Sequence, residues 1–331
     1  MRRVSCWLVT GLLCGLFGHA AVSGTQSSKL SGPIVGYVWS VADHALHPIQ
    51  GVLGNATIGG PVDAGFEMTQ ALPLDERHFL GSTTDEASLV VISAATLPFT
   101  KSVVAGAPAS PSLAARSAKG SAAVLYYSAE QKIRIVTQLT STPILAESID
   151  VLPGLREITQ MAVSDDGRLV IYAASQPDQD VLYSWTSASS HRLVTLLHRV
   201  SGIALLENSD TVVVDSKEDA VYYIADPTRS ASRVLLADDR NGVSNPTGVA
   251  VVNGDRIYVT NASARTVLVL TPSGQVLRSF PCNCEPAGMY PFGDSVYRLS
   301  ERADQTINLL KVGATSDRIV FVPAFPDEHQ E

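Results

Sequence analysis

The side chains best suited to bind or transform a ligand gather in Asp238 to Pro246, DDRNGVSNP, where two acids, an arginine and two asparagines fall within nine residues. Carboxylate and amide oxygens accept hydrogen bonds or ligate a cation, and a guanidinium offers a planar fork of donors to an anion. Two further polar stretches, Leu152 to Arg156 and Cys282 to Pro286, add Arg156 and Glu285. The candidate binding residues are therefore Asp239, Arg240, Asn245, Arg156 and Glu285. The competing reading is a solvated loop in which Asp239 and Asn245 bond their own turns.

Most enzyme chemistries lack their parts in this chain. Beyond the first 23 residues the histidines are His44, His47, His78, His191, His198 and His329, scattered along the sequence. His44 and His47 are three apart, a spacing that points to opposite faces of a strand, so the pair does not read as a metal site. No Gly-x-Ser-x-Gly nucleophile elbow occurs. The glycine-rich stretch Gly51 to Asp63 has no Gly-Lys-Ser/Thr and no helix after it, which makes it a loop or an irregular outer strand and not a phosphate cradle. Trp39 and Trp185 are too few for a quinone-dependent enzyme. No catalytic residue, metal or cofactor is expected. Under an alternative, a metal-dependent lyase or lactone hydrolase, Ca2+ would be held by Glu301, Asn245 and Asp85.

Cys282 and Cys284, a Cys-Asn-Cys pair, are the cysteines left once Cys6 and Cys14 are set aside with the leader. In an extended strand their Cα atoms would stand about 6.5–7 Å apart, at the upper limit for a disulfide, while Pro281 and Pro286 argue for a turn that shortens the gap. A local disulfide and two free thiols both remain open, and a metal site would lack its third and fourth ligands.

The leader is residues 1–23: Arg2 and Arg3, an uncharged run from Val4 to Phe17, then small residues up to Ser23. This is the pattern of a signal peptide cleaved before Gly24, and it predicts a secreted or periplasmic protein. The competing reading is an uncleaved anchor. Loss of Arg2 and Arg3 takes 24 basic residues to 22 against 32 acidic ones, a net charge of −10. That charge opposes nucleic-acid binding and gives no attraction to anionic lipid, so neither nucleic acid nor membrane is expected as a partner of the mature form. With 45% hydrophobic and 17% charged residues the chain can bury a core.

The elements that must position the candidate residues repeat along the chain. Thr247 to Phe280 divides into four apolar runs separated by Asn253-Gly254-Asp255, a polar loop and Ser273-Gly274. Comparable hairpins begin near Ile34, His78, Ala122, Arg168, Thr211, Arg256 and Ser295, in steps of about 39 to 46 residues. Units of that length with four strands each predict an all-β fold, a β-propeller of seven blades. The first unit, Ile34 to Ser40 and Ala45 to Gln50, lacks a preceding strand and leaves that blade incomplete. The expected organisation is a leader (1–23), a linker (24–33), the propeller (34–324) and a tail (325–331), with no shared closing blade visible.

Tyr258-Val259-Thr260-Asn261 matches, letter for letter, the tetrapeptide of the YVTN family of bacterial β-propeller repeats, which Gly248 to Leu270 resembles in its order of strand, turn, tetrapeptide and alternating Val267 and Val269. Met161 to Ala174 is similar, with its Asp165-Asp166-Gly167 turn, and Ser244 to Val251 resembles the start of an NHL-type blade. The resemblance covers two blades well and the rest by spacing. It implies a bacterial exported propeller, among relatives that include surface proteins, binding scaffolds and a minority of enzymes. The tetrapeptide itself reads as structural, with Tyr and Val on a half-buried surface and Asn bonding its own backbone at the strand's end.

In a propeller the loops that lead into the innermost strands, with those between second and third strands, build one face. The expectation is a scaffold that binds a protein, peptide or glycan there through Asp239, Arg240, Asn245, Arg156 and Glu285.

Overall fold

A computed structural model of the chain describes residues 32–229, 232–293, 295–300, 306–313 and 316–324. The leader and the tail lie outside the described residues. Within them, no helix is long and apolar enough to cross a membrane.

Among the described residues, twenty-seven strands form one three-stranded and six four-stranded antiparallel sheets. Blade 1 is β1 (Ile34–Ser40), β2 (Ala45–Val52) and β3 (Asn55–Ile58). Blade 2 is β4 (Met68–Pro73), β5 (His78–Thr83), β6 (Ser88–Ser93) and β7 (Thr100–Pro108), and blade 3 is β8 (Leu113–Arg116), β9 (Ala122–Tyr127), β10 (Lys132–Thr137) and β11 (Ile144–Asp150). Blade 4 is β12 (Glu157–Val163), β13 (Leu169–Ser175), β14 (Asp180–Thr186) and β15 (Ser189–Leu197), and blade 5 is β16 (Val200–Leu205), β17 (Thr211–Asp215), β18 (Ala220–Ala225) and β19 (Ser232–Ala237). Blade 6 is β20 (Pro246–Val252), β21 (Arg256–Asn261), β22 (Thr266–Leu270) and β23 (Val276–Pro281). Blade 7 is β24 (Tyr290–Gly293), β25 (Val296–Arg298), β26 (Ile307–Lys311) and β27 (Arg318–Val322). The fold is the seven-bladed β-propeller expected from the repeat.

Packing explains the composition of each strand. Second strands such as β9 (AAVLYY) and β17 (TVVVD) are buried on both faces, because a blade is covered by a neighbour on either side. They are therefore runs of β-branched, aromatic and small residues instead of alternating ones. Fourth strands such as β19 and β23 lie at the rim and are mostly exposed. Seven apolar clusters each join two adjacent blades, from Tyr37, Trp39 and Phe79 between blades 1 and 2 round to Val38, Ile49, Ile307 and Val322 between blades 7 and 1.

That last cluster closes the ring. Blades 7 and 1 pack face to face, Arg318 donates to the Leu53 carbonyl at 3.2 Å, and the Ile58 N–H donates to the Pro323 carbonyl at 3.0 Å. A single parallel bridge joins Ile58 to Ala324 on the outer side of β3.

Blade 1 is incomplete for a reason that differs from the sequence reading. The innermost strands of blades 2, 4, 5 and 6 share a register shift near their start, after the first residue in blades 2, 5 and 6 and after the second in blade 4, and β1 carries the same one between Ile34 and Gly36. β1 is thus an innermost strand, and the missing strand is the outermost. The start of β1 lies 34 positions before the start of β4, whereas the other innermost strands begin 43 to 46 apart. Gly51 to Asp63 contains the third strand, β3.

At the shifts the innermost strands approach backbone to backbone. A Cβ on Gly248 would stand 2.8 Å from the Met289 nitrogen, and one on Gly202 would stand 3.1 Å from the Gly248 Cα. Only glycine permits this closeness around the axis.

Candidate functional site

The first half of the lead-in loop 238–245, residues 238–241, is held by local bonds. Asp238 caps a single 3-10 turn, Asp239–Asn241, by accepting the Arg240 N–H at 3.1 Å, and Asn241 Oδ1 accepts the Asp238 N–H at 3.1 Å. Gly242 ends the turn at φ 89°, where a side chain would be strained. The Arg240 guanidinium returns to Asp238 Oδ2 through both Nε and Nη2, which holds the Asp238 carboxyl below the usual carboxylate range. Asp239 accepts the Arg240 N–H at 2.9 Å, the local turn bond that the competing reading assigns it.

Both neighbouring blades pin this loop. The buried Val243 side chain enters the core between blades 5 and 6. The Asn245 N–H donates to Asp219 of blade 5 at 2.5 Å, and its carbonyl accepts the Ala262 N–H of blade 6 at 3.1 Å. Asn261, wholly buried, accepts the Ser244 N–H at 3.2 Å and donates to the Gly242 carbonyl at 3.2 Å and to Thr266 at 3.3 Å. Its amide clasps the lead-in loop, not its own backbone as the sequence suggested. Two Asn-x-Ser/Thr glycosylation sequons occur, Asn55-Ala56-Thr57 and Asn261-Ala262-Ser263; burial removes Asn261 as a site of the folded protein, whereas Asn55 is exposed.

Loop 282–286 follows blade 6. Cys282 and Cys284 are joined by a disulfide, with a turn that shortens their Cα separation to 5.0 Å. The Cys282 N–H donates to the Arg265 carbonyl at 2.8 Å, and the Pro286 carbonyl accepts from Thr247 Oγ1 of β20 at 2.8 Å. Ser201 of β16 grips the Pro246 carbonyl in the same way one blade earlier. A hydroxyl of one innermost strand thus fixes the start of the next.

Asp239, Arg240, Asn245, Arg156 and Glu285 are all exposed on the face made by the lead-in loops. Asp239, Arg240 and Asn245 share one loop, Glu285 lies in the next, and Arg156 lies in the loop leading into blade 4. Of the calcium set of the alternative reading, Asp85 is exposed and bonded to Lys101 at 2.5 Å, and Glu301 lies outside the described residues.

The same face holds a group that sequence reasoning passed over. His198, in the short loop leading into blade 5, places Nδ1 2.7 Å from Glu218 Oε1, and His198, Asp215 and Glu218 bring one ligand atom each within 4.8 Å of one another. Tyr222 donates to Glu218 Oε2 at 2.5 Å. Asp215, wholly buried, accepts the N–H groups of His198 (2.7 Å), Arg199 (3.1 Å), Lys217 (3.0 Å) and Glu218 (3.2 Å). The next amide, Val200, donates to buried Asp180 at 2.7 Å, and burial raises the Asp180 carboxyl. The group has the donor types of a divalent-cation site, yet four N–H bonds occupy Asp215, which makes it first a structural clasp. A signal was present: Asp215 ends its second strand where Asn261 ends the equivalent one.

Two clefts, of about 310 and 340 Å3, lie between blades on the opposite face. Leu206, Glu207, Asn208, Tyr223, Gly254 and Pro272 line the second, between blades 5 and 6.

No family model matches the chain, and no curated protein does. Solved structures do. A streptogramin B lyase is 12% identical over 84% of this chain and 90% of its own, with a TM-score of 0.52. Virginiamycin B lyase from Staphylococcus aureus is 14% identical over 73% of this chain and 80% of its own, with a TM-score of 0.51. A chain of a nidogen/laminin complex is 13% identical over 74% of this chain and 92% of its own, with a TM-score of 0.47. At such identities the likeness to the two lyases supports the fold alone, a β-propeller, and leaves the activity to the residues of this chain's own face.

Proposed function

We propose that the protein is an exported propeller of the YVTN/NHL repeat kind that binds a protein, peptide or glycan through its lead-in-loop face. The observation that supports this reading is the construction of loop 238–245. Asp219 and Asn261 hold it from two blades, and a capping box holds it within, while Asp239, Arg240 and Asn245 stay exposed. A loop ordered before binding loses little conformational entropy when a ligand arrives. Its polar surface suits hydrogen-bonding partners, Glu285 extends that surface to the next loop, and Arg156 adds a donor two lead-in loops away. Removal of residues 1–23 on export yields the mature form.

The test is to probe displayed peptides and immobilised glycans with the mature protein and with a variant combining Asp239→Ala, Arg240→Ala and Glu285→Ala. The expected ligand is retained by the former and lost by the latter, whose fold is kept because these side chains are exposed. A ligand held equally by both would sink the assignment of the face.

The second reading, a metal-dependent lyase or lactone hydrolase, is favoured by the grouping of His198, Asp215 and Glu218. Elemental analysis with thermal shifts against calcium, zinc and a chelator separates the two. The binding reading expects no bound metal and no shift, and the enzyme reading expects both.

A further inference from the structure

On the face away from the lead-in loops, the first cleft opens between blades 6 and 7, lined by Arg256, Val269, Leu277, Arg278, Ser316 and Asp317. Its chemistry turns on how Arg256 is held. Its side chain is only 20% exposed, yet its polar contacts are long: Nη1 is 3.6 Å from Asp317 Oδ1 and 3.5 Å from the Gly313 carbonyl, and Nε is 3.7 Å from Asp255 Oδ1. N–H···O bonds of full strength lie at about 2.7–3.2 Å. Asp317, 4% exposed, takes its shorter bonds elsewhere, from the Tyr258 hydroxyl at 3.0 Å and the Gly313 N–H at 3.1 Å. Arg256 is therefore a mostly buried cation whose donors are underused and which borders a cavity. A guanidinium carries five N–H donors in a fixed fork matched to a carboxylate.

Arg278, exposed on the rim strand β23, lines the same cleft and has no ion pair among the described residues. Val269 and Leu277 supply apolar wall to the same cleft. The volume, about 310 Å3, stands at the low end for small-molecule pockets. We infer that this cleft is a binding site for a carboxylate carried on a short apolar stem, with Arg256 and Arg278 on the carboxylate and Val269 and Leu277 against the stem. Such a group occurs at the C-terminus of a peptide and in a free N-acyl amino acid. The site is separate from the lead-in-loop face, so it stands or falls independently of the function proposed above.

Calorimetric titration with N-acetyl-L-leucine, its amide and the peptide acetyl-Ala-Ala-Leu tests the site on the mature protein and on Arg278→Gln. The exposed position of Arg278 leaves the fold of this variant intact, which circular dichroism verifies. The expected result is saturable binding of the acid, weaker for the amide by about tenfold or more, and weakened about tenfold by Arg278→Gln. Tighter binding of the peptide than of the free acid assigns the site to peptide termini, and equal binding assigns it to small acids. Arg256→Lys, which keeps the charge and loses the fork, is expected to weaken the acid and leave the amide unchanged. No saturation by about 10 mM acid, equal binding of acid and amide, or an unchanged constant in Arg278→Gln would each overturn the inference.

Discussion

The Tyr258 hydroxyl in the second strand of blade 6 donates to Asp317 Oδ2 in blade 7 at 3.0 Å, so the first letter of Tyr258-Val259-Thr260-Asn261 joins two blades. The last letter does the corresponding work at the strand's other end, where Asn261 clasps the lead-in loop. The tetrapeptide is thus a mortise between neighbours, and the residues open to a ligand flank it. Tyr258→Phe removes one hydroxyl from a wholly buried ring and leaves Asp317 with the Gly313 N–H and the distant Arg256. A loss of about 1–3 kcal/mol in urea unfolding is expected. A variant as stable as the parent would show that the bond contributes nothing net.

Alkaline pH should weaken the fold through its buried tyrosines. Burial pushes the Tyr127 hydroxyl up to about 12, and its O–H donates to the Pro108 carbonyl of the preceding blade at 2.7 Å. Tyr222 is also raised to about 12, by burial first and then by its bond to Glu218, and burial raises Tyr172 and Tyr258. An unfolded tyrosine loses its proton near pH 10, so between about pH 10 and 12 the folded state holds more protons than the unfolded one. Stability is then fully present below about pH 10 and falls as pH rises through that window. Urea midpoints measured from pH 8 to 11.5 should be level and then drop, and Tyr127→Phe should make the drop shallower. A flat profile would contradict the assignment.

The parts of this fold legible in the sequence are those whose burial leaves a mark on composition. Second strands, covered on both faces, become unbroken apolar runs, which is why the hairpins at Ala122, Arg168, Thr211 and Arg256 could be placed from letters alone. Blade 1 was misaligned because β1, Ile34–Ser40, is nearly as buried as a second strand, and the register shift that identifies it is a backbone feature. The turns of blades 3, 5 and 6 share the conformation of their last residue and not its letter: Gln131, Asp219 and Arg265 adopt φ 52°, 50° and 52°. The candidate face was legible as polar loops. The His198 group was not, because Asp215 gathers it through backbone N–H bonds that set no residue type at 198.

Asp215 and Asn261 offer a direct comparison, since both end a buried second strand and both accept amides from the loop leading into an innermost strand. Asp215→Asn keeps one acceptor oxygen, for the Arg199, Lys217 and Glu218 N–H groups, but sets an amide NH2 against the His198 N–H that Oδ2 accepts. It should cost about 1–3 kcal/mol, for one N–H left without its acceptor and the change from a charged to a neutral acceptor. Asp215→Ala leaves four N–H groups of residues 198, 199, 217 and 218 without that acceptor in a buried site, and should cost at least about 3 kcal/mol. Unfolding curves for the two variants test this ordering, and equal losses would mean that the bonds matter less than the volume of the side chain.

The disulfide between Cys282 and Cys284 closes one of the shortest loops a chain can form, with Asn283 alone between the cysteines. Cross-links stabilise chiefly by restricting the unfolded chain, and a loop this small restricts it little, by about 1–2 kcal/mol in the loop-entropy account. Cys282 is also buried in the core between blades 6 and 7, and a thiol keeps most of that packing after reduction. Treatment with a thiol reductant should therefore lower the stability by about 1–2 kcal/mol and leave the far-ultraviolet spectrum unchanged. Cys282→Ala with Cys284→Ala should lose more, because the buried sulfur goes as well. If reduction alone unfolded the protein, the bond and not the packing would be holding loop 282–286 against the blade.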